Sequence, residues 1–182
     1  MERGKKMFPL IVLFDEQKQG KILFEHFLAI LQDYTEDYYV FSGEKLSVCE
    51  NEPKFVVCKG KMVKDIVGKN VLIICDETTN SIPEISNCDN ATVILNSRSG
   101  ISLTGKQAEK CKFITYGFCT KDTVTLSSIA DERAVVSIQR SFLTYSGRKI
   151  EPMEILIDCV KNDENNLLAI ATALVYCEIN IN

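Results

Sequence analysis

The sequence predicts an α/β fold: a three-layer, mostly parallel, doubly wound sheet with an antiparallel β meander appended to it. Four short apolar runs suit strands buried on both faces of a parallel sheet; they are residues 10–14, 71–75, 92–95 and 112–116. Helix-like segments alternate with these runs, as in parallel sheets with crossover helices. From residue 123 onward, short β segments separated by turns are typical of an antiparallel meander. The length of 182 residues suits one core, so residues 1–182 are predicted to form a single domain.

The composition is ordinary for a soluble globular protein and argues against several classes of partner. Hydrophobic residues make up 46% of the chain and charged residues 25%, and the net charge of −4 argues against a nucleic-acid surface. No apolar run approaches the ~20 residues of a membrane span. The basic start of the chain lacks a small-residue cleavage site, which argues against a secretory signal. We therefore expect a cytoplasmic protein that binds neither membranes nor nucleic acid.

Eight cysteines and one histidine form no metal or redox motif. A structural zinc site needs closely spaced ligands and the chain has no C-x-x-C pair, so no metal site is predicted. The cysteines are interpreted as reduced thiols of a cytosolic protein. His26 lies beside the apolar stripe of the first predicted helix. We interpret it as structural, because no nucleophile motif accompanies it.

Residues 10–31 have the layout of a phosphate-binding loop. The first strand is followed by polar residues that end in Gly20 and Lys21, and from Leu23 onward apolar side chains recur at helical spacing. In this order of strand, loop, Gly-Lys and helix, backbone N–H groups and a helix N-terminus face an anion. The sequence therefore offers a candidate phosphate site at Gly20 and Lys21.

The same loop departs from a working phosphate loop. Asp15 and Glu16 stand where such a loop has its early glycine, and Ile22 stands where a Ser or Thr would hold Mg²⁺. An ordinary βα turn with a solvated Lys21 is the alternative that these residues leave open.

The middle of the chain adds strands and two acidic residues. Residues 38–41 are a predicted strand, while residues 46–49 and 55–58 either form a hairpin or lie on an edge. Asp76 and Glu77 follow the second apolar run at its carboxyl end, where open α/β sheets bind ligands. They either serve Mg²⁺ or a water molecule, or they cap the next turn.

Three further elements are predicted towards the end of the chain. Thr104 and Gln107 have capping-box spacing at the start of a short helix. The meander consists of residues 123–126, 134–138, 142–145 and 153–157. Residues 165–177 are apolar on most sides and predict a buried closing helix, with Asn162 or Asp163 as its N-cap.

In this order, the motifs resemble the central, ATP-binding domain of the Mur ligases, which folylpolyglutamate synthetases share. The family shows a strand ending in Asn, a helix, and a strand reading Ile-Thr-Tyr-Gly; here these are Asn96 and residues 114–117. The family's Asn motif before an Ala-rich helix corresponds to residues 161–165. The resemblance covers most of the chain, but the domains that flank the family's central domain have no counterpart.

The resemblance implies an ATP site in which Asn162 contacts adenine and Gly20 and Lys21 contact phosphates. It carries over no catalytic residue and no metal ligand, and ATP with Mg²⁺ is doubtful because of Ile22 and the two carboxylates. The favoured hypothesis is therefore a non-catalytic relative with a vestigial nucleotide or phosphate site, acting as a regulatory or partner protein in cell-wall metabolism. The alternatives are an active ATP-dependent amide ligase with an altered site that uses Asp76, Glu77 and Lys21, or a pure protein-interaction module.

Overall fold

The computed structural model describes residues 9–15, 21–43, 45–59, 63–130, 133–158 and 164–179. Strands hold 47% of these residues and helices 21%. The three helices are α1 (Lys21–Tyr34), α2 (Gly105–Lys110) and α3 (Glu164–Tyr176). The strands are β1 (Leu10–Asp15), β2 (Tyr38–Ser42), β3 (Lys45–Ser47), β4 (Phe55–Lys59), β5 (Asp65–Cys75), β6 (Glu84–Asn96), β7 (Cys111–Gly117), β8 (Val124–Ala130), β9 (Arg133–Ile138), β10 (Phe142–Leu143), β11 (Lys149–Ile150) and β12 (Met153–Asp158).

Ten strands form one mixed sheet in the order β12-β9-β8-β7-β6-β5-β1-β4-β2-β3. The four apolar runs predicted as parallel strands lie side by side as β1, β5, β6 and β7, with parallel pairing throughout. The prediction of a three-layer, doubly wound α/β fold is nevertheless wrong, and so is the α/β, Mur-ligase-like classification that went with it. Strands β5, β6, β7 and β8 instead follow one another in both sequence and sheet, as in a β-solenoid.

The reason lies in the length of the connections. Only residues 76–83 join β5 to β6, and the first of them form a turn in which Thr79 N–H bonds to the Asp76 carbonyl. Eight helical residues would reach about 12 Å, whereas a straight strand the length of β5 spans roughly 35 Å. The connection therefore has no room for a crossover helix. It is also too short to return along a straight strand. The register of β5 and β6 shifts between Ile66 and Val67, an irregularity of the kind that bends strands.

The two faces of the sheet are consequently covered by different kinds of structure. On the helix face, α1 and α3 pack over apolar side chains that include Leu72, Ile94 and Ile114. On the opposite face, which we call the loop face, the connections that follow β5 and β6 supply the covering side chains, among them Ile82 and Leu103.

The remaining predicted segments have mixed outcomes. The pieces at 46–49 and 55–58 do not form a hairpin together, because β3 is the edge strand and pairs with β2, while β4 lies between β1 and β2. Strands β8, β9 and β12 form an antiparallel meander, but β10 pairs with β11 in a separate two-stranded sheet. The capping box of α2 is confirmed, with Thr104 Oγ1 accepting from Gln107 N–H and the Gln107 side chain accepting from Thr104 N–H.

The closing helix is confirmed as α3. Nine of its residues are buried, including Leu168, Ala171 and Leu174, so it is enclosed on nearly all sides. Its predicted N-cap, Asn162 or Asp163, lies outside the described residues.

Candidate functional site

Polar side chains gather at the carboxyl edge, which we define as the ends of β5, β6 and β7, the segments that follow them, and the first turn of α3. Parallel strands bring their carboxyl ends to one edge of the sheet, so residues distant in sequence meet there. The edge contains the two acidic residues singled out in the sequence, Asp76 and Glu77, and both Asn96 and Gly117 from the Mur-like motifs.

Asp76 caps the turn that follows β5. Its Oδ1 accepts hydrogen bonds from Thr78 N–H and Thr78 Oγ1, both at 2.8 Å, and from Thr79 Oγ1 at 3.0 Å. Of the two roles that the sequence left open for Asp76, the structure therefore shows turn capping for Oδ1. The side chain is only 5% exposed, and its second oxygen, Oδ2, is buried without a hydrogen-bond partner within the described part of the chain.

Two asparagines tie Glu77 to the sheet and to α3. Asn96 Nδ2 donates to Asn165 Oδ1 at 3.1 Å, and Asn165 Nδ2 donates to Glu77 Oε2 at 3.0 Å. Asn96 Oδ1 in turn accepts from Arg98 N–H at 2.9 Å. Asn165 lies in the first turn of α3, where the partial positive charge of the helix favours an anion. The carboxylate of Glu77 therefore lies within hydrogen-bond distance of a side chain in the first turn of α3.

Tyr116 links β7 to β5 beneath this edge. Its hydroxyl donates to the Cys75 carbonyl at 2.9 Å, and its side chain is fully buried. Burial raises the pKa of Tyr116 well above its ordinary value, and the negative charge of Asp76 adds to the rise. The hydroxyl stays neutral at physiological pH, so it acts as a fixed hydrogen-bond donor and not as an acid or a base.

Gly117 makes room for a buried carboxylate. A Cβ at this position would lie 2.7 Å from both Asp122 Oδ2 and Ser97 Oγ, and the φ of +156° also favours glycine. Asp122 Oδ2 accepts from Ser97 Oγ at 3.1 Å and from Cys119 N–H at 2.9 Å. The glycine that ends the Ile-Thr-Tyr-Gly motif thus allows the segments after β6 and β7 to be joined.

The three residues predicted to bind nucleotide are not brought together by the described structure. Gly20 and Asn162 lie outside the described residues, and Lys21 opens α1, with its side chain outside the description as well. His26 lies within α1 and is half-buried, one residue before the buried Phe27. The site residues therefore remain predictions.

The described part of the edge shows no metal centre. No group of three or more His, Cys, Asp or Glu side chains within the described ranges is arranged to hold a metal ion. No disulfide joins any two of the seven described cysteines, and Cys159 lies outside the described residues. Carboxylates predominate near the strand ends, because Asp76, Glu77 and Asp122 all lie there.

Sequence reasoning missed the roles of Asn165 and Asp122. Asn165 was part of the Asn-rich motif before the closing helix, but only its neighbour Asn162 was assigned a contact. Asp122 follows the Mur-like motif in an unremarkable polar turn, and no spacing rule connects it to Ser97, which lies 25 residues earlier in the chain.

No protein-family model matches the chain, and no curated protein matches it. Among the helices of the described residues, none combines the length and apolar character that crossing a membrane requires.

Proposed function

We propose that the chain is a non-catalytic cytoplasmic domain that acts through a binding partner, in a regulatory or partner role, and that it keeps at most a vestigial nucleotide or phosphate site. A role in cell-wall metabolism stays a prediction from the motif resemblance. The proposal rests on the chemistry of the carboxyl edge and does not depend on the fold class.

One observation carries the proposal: Asn165, in the first turn of α3, donates its side-chain N–H to Glu77. A phosphate that bound at the first turn of α3 would have to share this position with a carboxylate. Two unit negative charges 4 Å apart repel by about 1 kcal/mol in water, and by more where water is excluded. The edge therefore carries its own anion, which disfavours a triphosphate.

The neighbouring polar groups support the same proposal. Asp76 Oδ1 accepts three hydrogen bonds from its own turn, and Asp122 joins two loops. Groups engaged in this way hold the backbone and are poorly placed to position a nucleophile or a metal.

An ATP-dependent amide ligase is the second candidate, and one observation favours it. Asp76 Oδ2 is a buried carboxylate oxygen without a partner in the described structure. Buried carboxylate oxygens are usually hydrogen-bonded, so an unpartnered one is available to bind a cation or a water molecule.

Thermal-shift titration with ATP, ADP and inorganic phosphate, with and without Mg²⁺, together with an ATP-turnover assay, tests the proposal. We expect no shift from ATP and turnover at background. Glu77→Gln keeps an oxygen for Asn165 but removes the charge, and we expect it to raise phosphate affinity about fivefold, which corresponds to about 1 kcal/mol. Glu84→Gln is the matched control, because Glu84 is exposed at the start of β6. Micromolar ATP affinity with turnover that Lys21→Ala abolishes would establish the ligase instead.

A further inference from the structure

Among the described residues, nothing pairs with the outer edge of β12. This strand is one of the two terminal strands of the ten, with β3 at the other end, and within the described ranges it pairs only with β9. A terminal strand presents backbone N–H and C=O groups on its outer side, and these can pair with a further strand. β12 has six residues, and it contains neither the proline nor the lysine that commonly protects such an edge.

A groove lies beside this edge. It has a volume of about 780 Å³ and runs between β12 and the last turn of α3, with Ile155, Val175 and Ile179 among its apolar lining. We call it the edge groove. Met153 and Leu156, which also line it, are 48% and 50% exposed. A strand edge next to a groove with apolar side chains in its lining is an arrangement that binds an extended peptide, because main-chain hydrogen bonds supply affinity and the groove receives alternate side chains.

The two sides of β12 differ in chemistry. Met153, Ile155 and Ile157 share one side, and the latter two pack with the helix-face core. Glu154 and Asp158 share the opposite side with the exposed Leu156 between them, and β12 contains no basic residue. The basic side chains of the groove already have acidic partners, since Arg148 pairs with Glu178 at 3.6 Å and Lys149 with Glu151 at 2.8 Å.

The acidic side chains of β12 favour a basic partner strand over a second copy of this chain. If a second copy paired antiparallel with β12 about Leu156, Glu154 of each copy would lie opposite Asp158 of the other, and directly opposed like charges destabilise strand pairs. The ion pair between Asp158 and Arg133 is highly exposed and therefore weak, so a basic side chain of a partner strand can compete with Arg133 for Asp158. A strand with basic residues facing Glu154 and Asp158 would complement the edge where a second copy would be repelled.

We propose that the edge groove binds an extended peptide segment of a partner protein, which adds to β12 as a new strand. Its apolar side chains enter the groove, and its alternating basic side chains lie opposite Glu154 and Asp158. This inference deepens the proposed partner role and rests on it. The test of this inference measures peptide binding, whereas the test of the non-catalytic role measures nucleotide binding and turnover. The two proposals can therefore fail separately.

Two capped model peptides provide the probe, one alternating Val with Lys and the other alternating Val with Glu. Binding is measured by fluorescence anisotropy at low salt, and the site is located by amide hydrogen exchange. We expect the Lys peptide to bind at least fivefold more tightly than the Glu peptide and to slow exchange in β12. Glu154→Lys should remove this preference, whereas Glu109→Lys, on the exposed surface of α2, should leave it unchanged.

Several outcomes would overturn the proposal. Equal affinity for both peptides, no binding of either, or protection outside β12 would each do so. A concentration-dependent dimer that protects β12 without peptide, seen by sedimentation, would assign the edge to a second copy instead. If Glu154→Lys unfolds, as judged by circular dichroism, Leu156→Lys serves as the second variant. Leu156 is half exposed, and a lysine there should also weaken binding of the Lys peptide.

Discussion

On the helix face, two helices cover the central strands with a continuous apolar layer, and residues such as Leu174 have no exposed surface. On the loop face, the cover consists of irregular segments and the six-residue α2, which polar contacts hold in place. Gln107 Nε2 donates to the carbonyls of Ile82 and Pro83 at 3.4 and 3.3 Å, and Lys110 Nζ donates to the Ile85 carbonyl at 3.3 Å. The comparison indicates that one face of a sheet can be covered by helices through hydrophobic packing, while the other face is covered largely by loops that hydrogen bonds hold in place.

Truncating one buried side chain on each face tests this difference most directly. Leu174→Ala should lower the free energy of unfolding by about 2–5 kcal/mol, because α3 is enclosed and cannot collapse into the cavity. Ile82→Ala should fall at the low end of this range, about 2 kcal/mol, since an irregular segment can shift to fill part of the space. Urea denaturation with unchanged m-values measures both losses. Equal losses would show that the two faces are packed alike.

Gly117→Ala tests whether close polar contacts hold the loops at the carboxyl edge. The new methyl group would lie 2.7 Å from Asp122 Oδ2 and Ser97 Oγ, so we expect a loss of about 1–3 kcal/mol. Ser97→Ala removes one of the two clashing atoms, and the double variant should lose less than the sum of the single variants. Gly105→Ala is the control, because a Cβ there would meet no atom of the described residues within 4 Å; its denaturation midpoint should stay the same or rise slightly. Additive losses for Gly117→Ala and Ser97→Ala would mean that the contact does not couple them.

The sequence predicted the strands and the closing helix because these depend on local periodicity. It failed on the fold class because residues 84–90 are mostly polar and do not resemble a strand, although they form the first half of β6. With these residues counted as connection, the crossover between the second and third apolar runs was long enough for a helix. With them in β6, only residues 76–83 remain, and the second helical layer cannot form.

The contacts of the candidate site were not predictable from the sequence. The carboxyl ends of parallel strands meet by geometry, so a ligand-binding edge was expected at Asp76 and Glu77, whereas binding at Gly20, Lys21 and Asn162 stays a prediction. The bond between Asn96 and Asn165 joins residues 69 apart in the chain, and no spacing rule reports such a pair. Sequence alone therefore could not show that Glu77 is already engaged by α3.

The last prediction has the smallest expected effect on stability and concerns the end of the helix face. There Glu178, just after α3, contacts the turn between β10 and β11. Its Oε1 accepts hydrogen bonds from Thr144 Oγ1 and Ser146 Oγ, and it forms an ion pair with Arg148 at 3.6 Å. Burial acts to raise the pKa of Glu178, but the two hydroxyl donors and Arg148 outweigh it and hold the pKa below the ordinary value of 4.5. A carboxyl group whose folded-state pKa is lowered adds stability above its unfolded pKa, and this stability is lost as the pH falls through the folded-state value.

We therefore expect Glu178→Gln to cost about 0.5–1 kcal/mol at pH 7, because the charged acceptor is lost while an oxygen remains for the hydroxyl donors. The gap to the unsubstituted protein should narrow as the pH falls below about 4.5, where the unfolded chain takes up the proton. Urea midpoints at pH 7, 5 and 3 measure this gap. Glu151→Gln is the control, since Glu151 is 64% exposed in its ion pair with Lys149, and its substitution should change stability little at any of the three pH values. If the stability difference between Glu178→Gln and the unsubstituted protein stays constant from pH 7 to pH 3, the hydrogen bonds of Glu178 contribute to stability and its charge does not. The end of the helix face would then be held by uncharged hydrogen bonds, like those of the α2 capping box on the loop face.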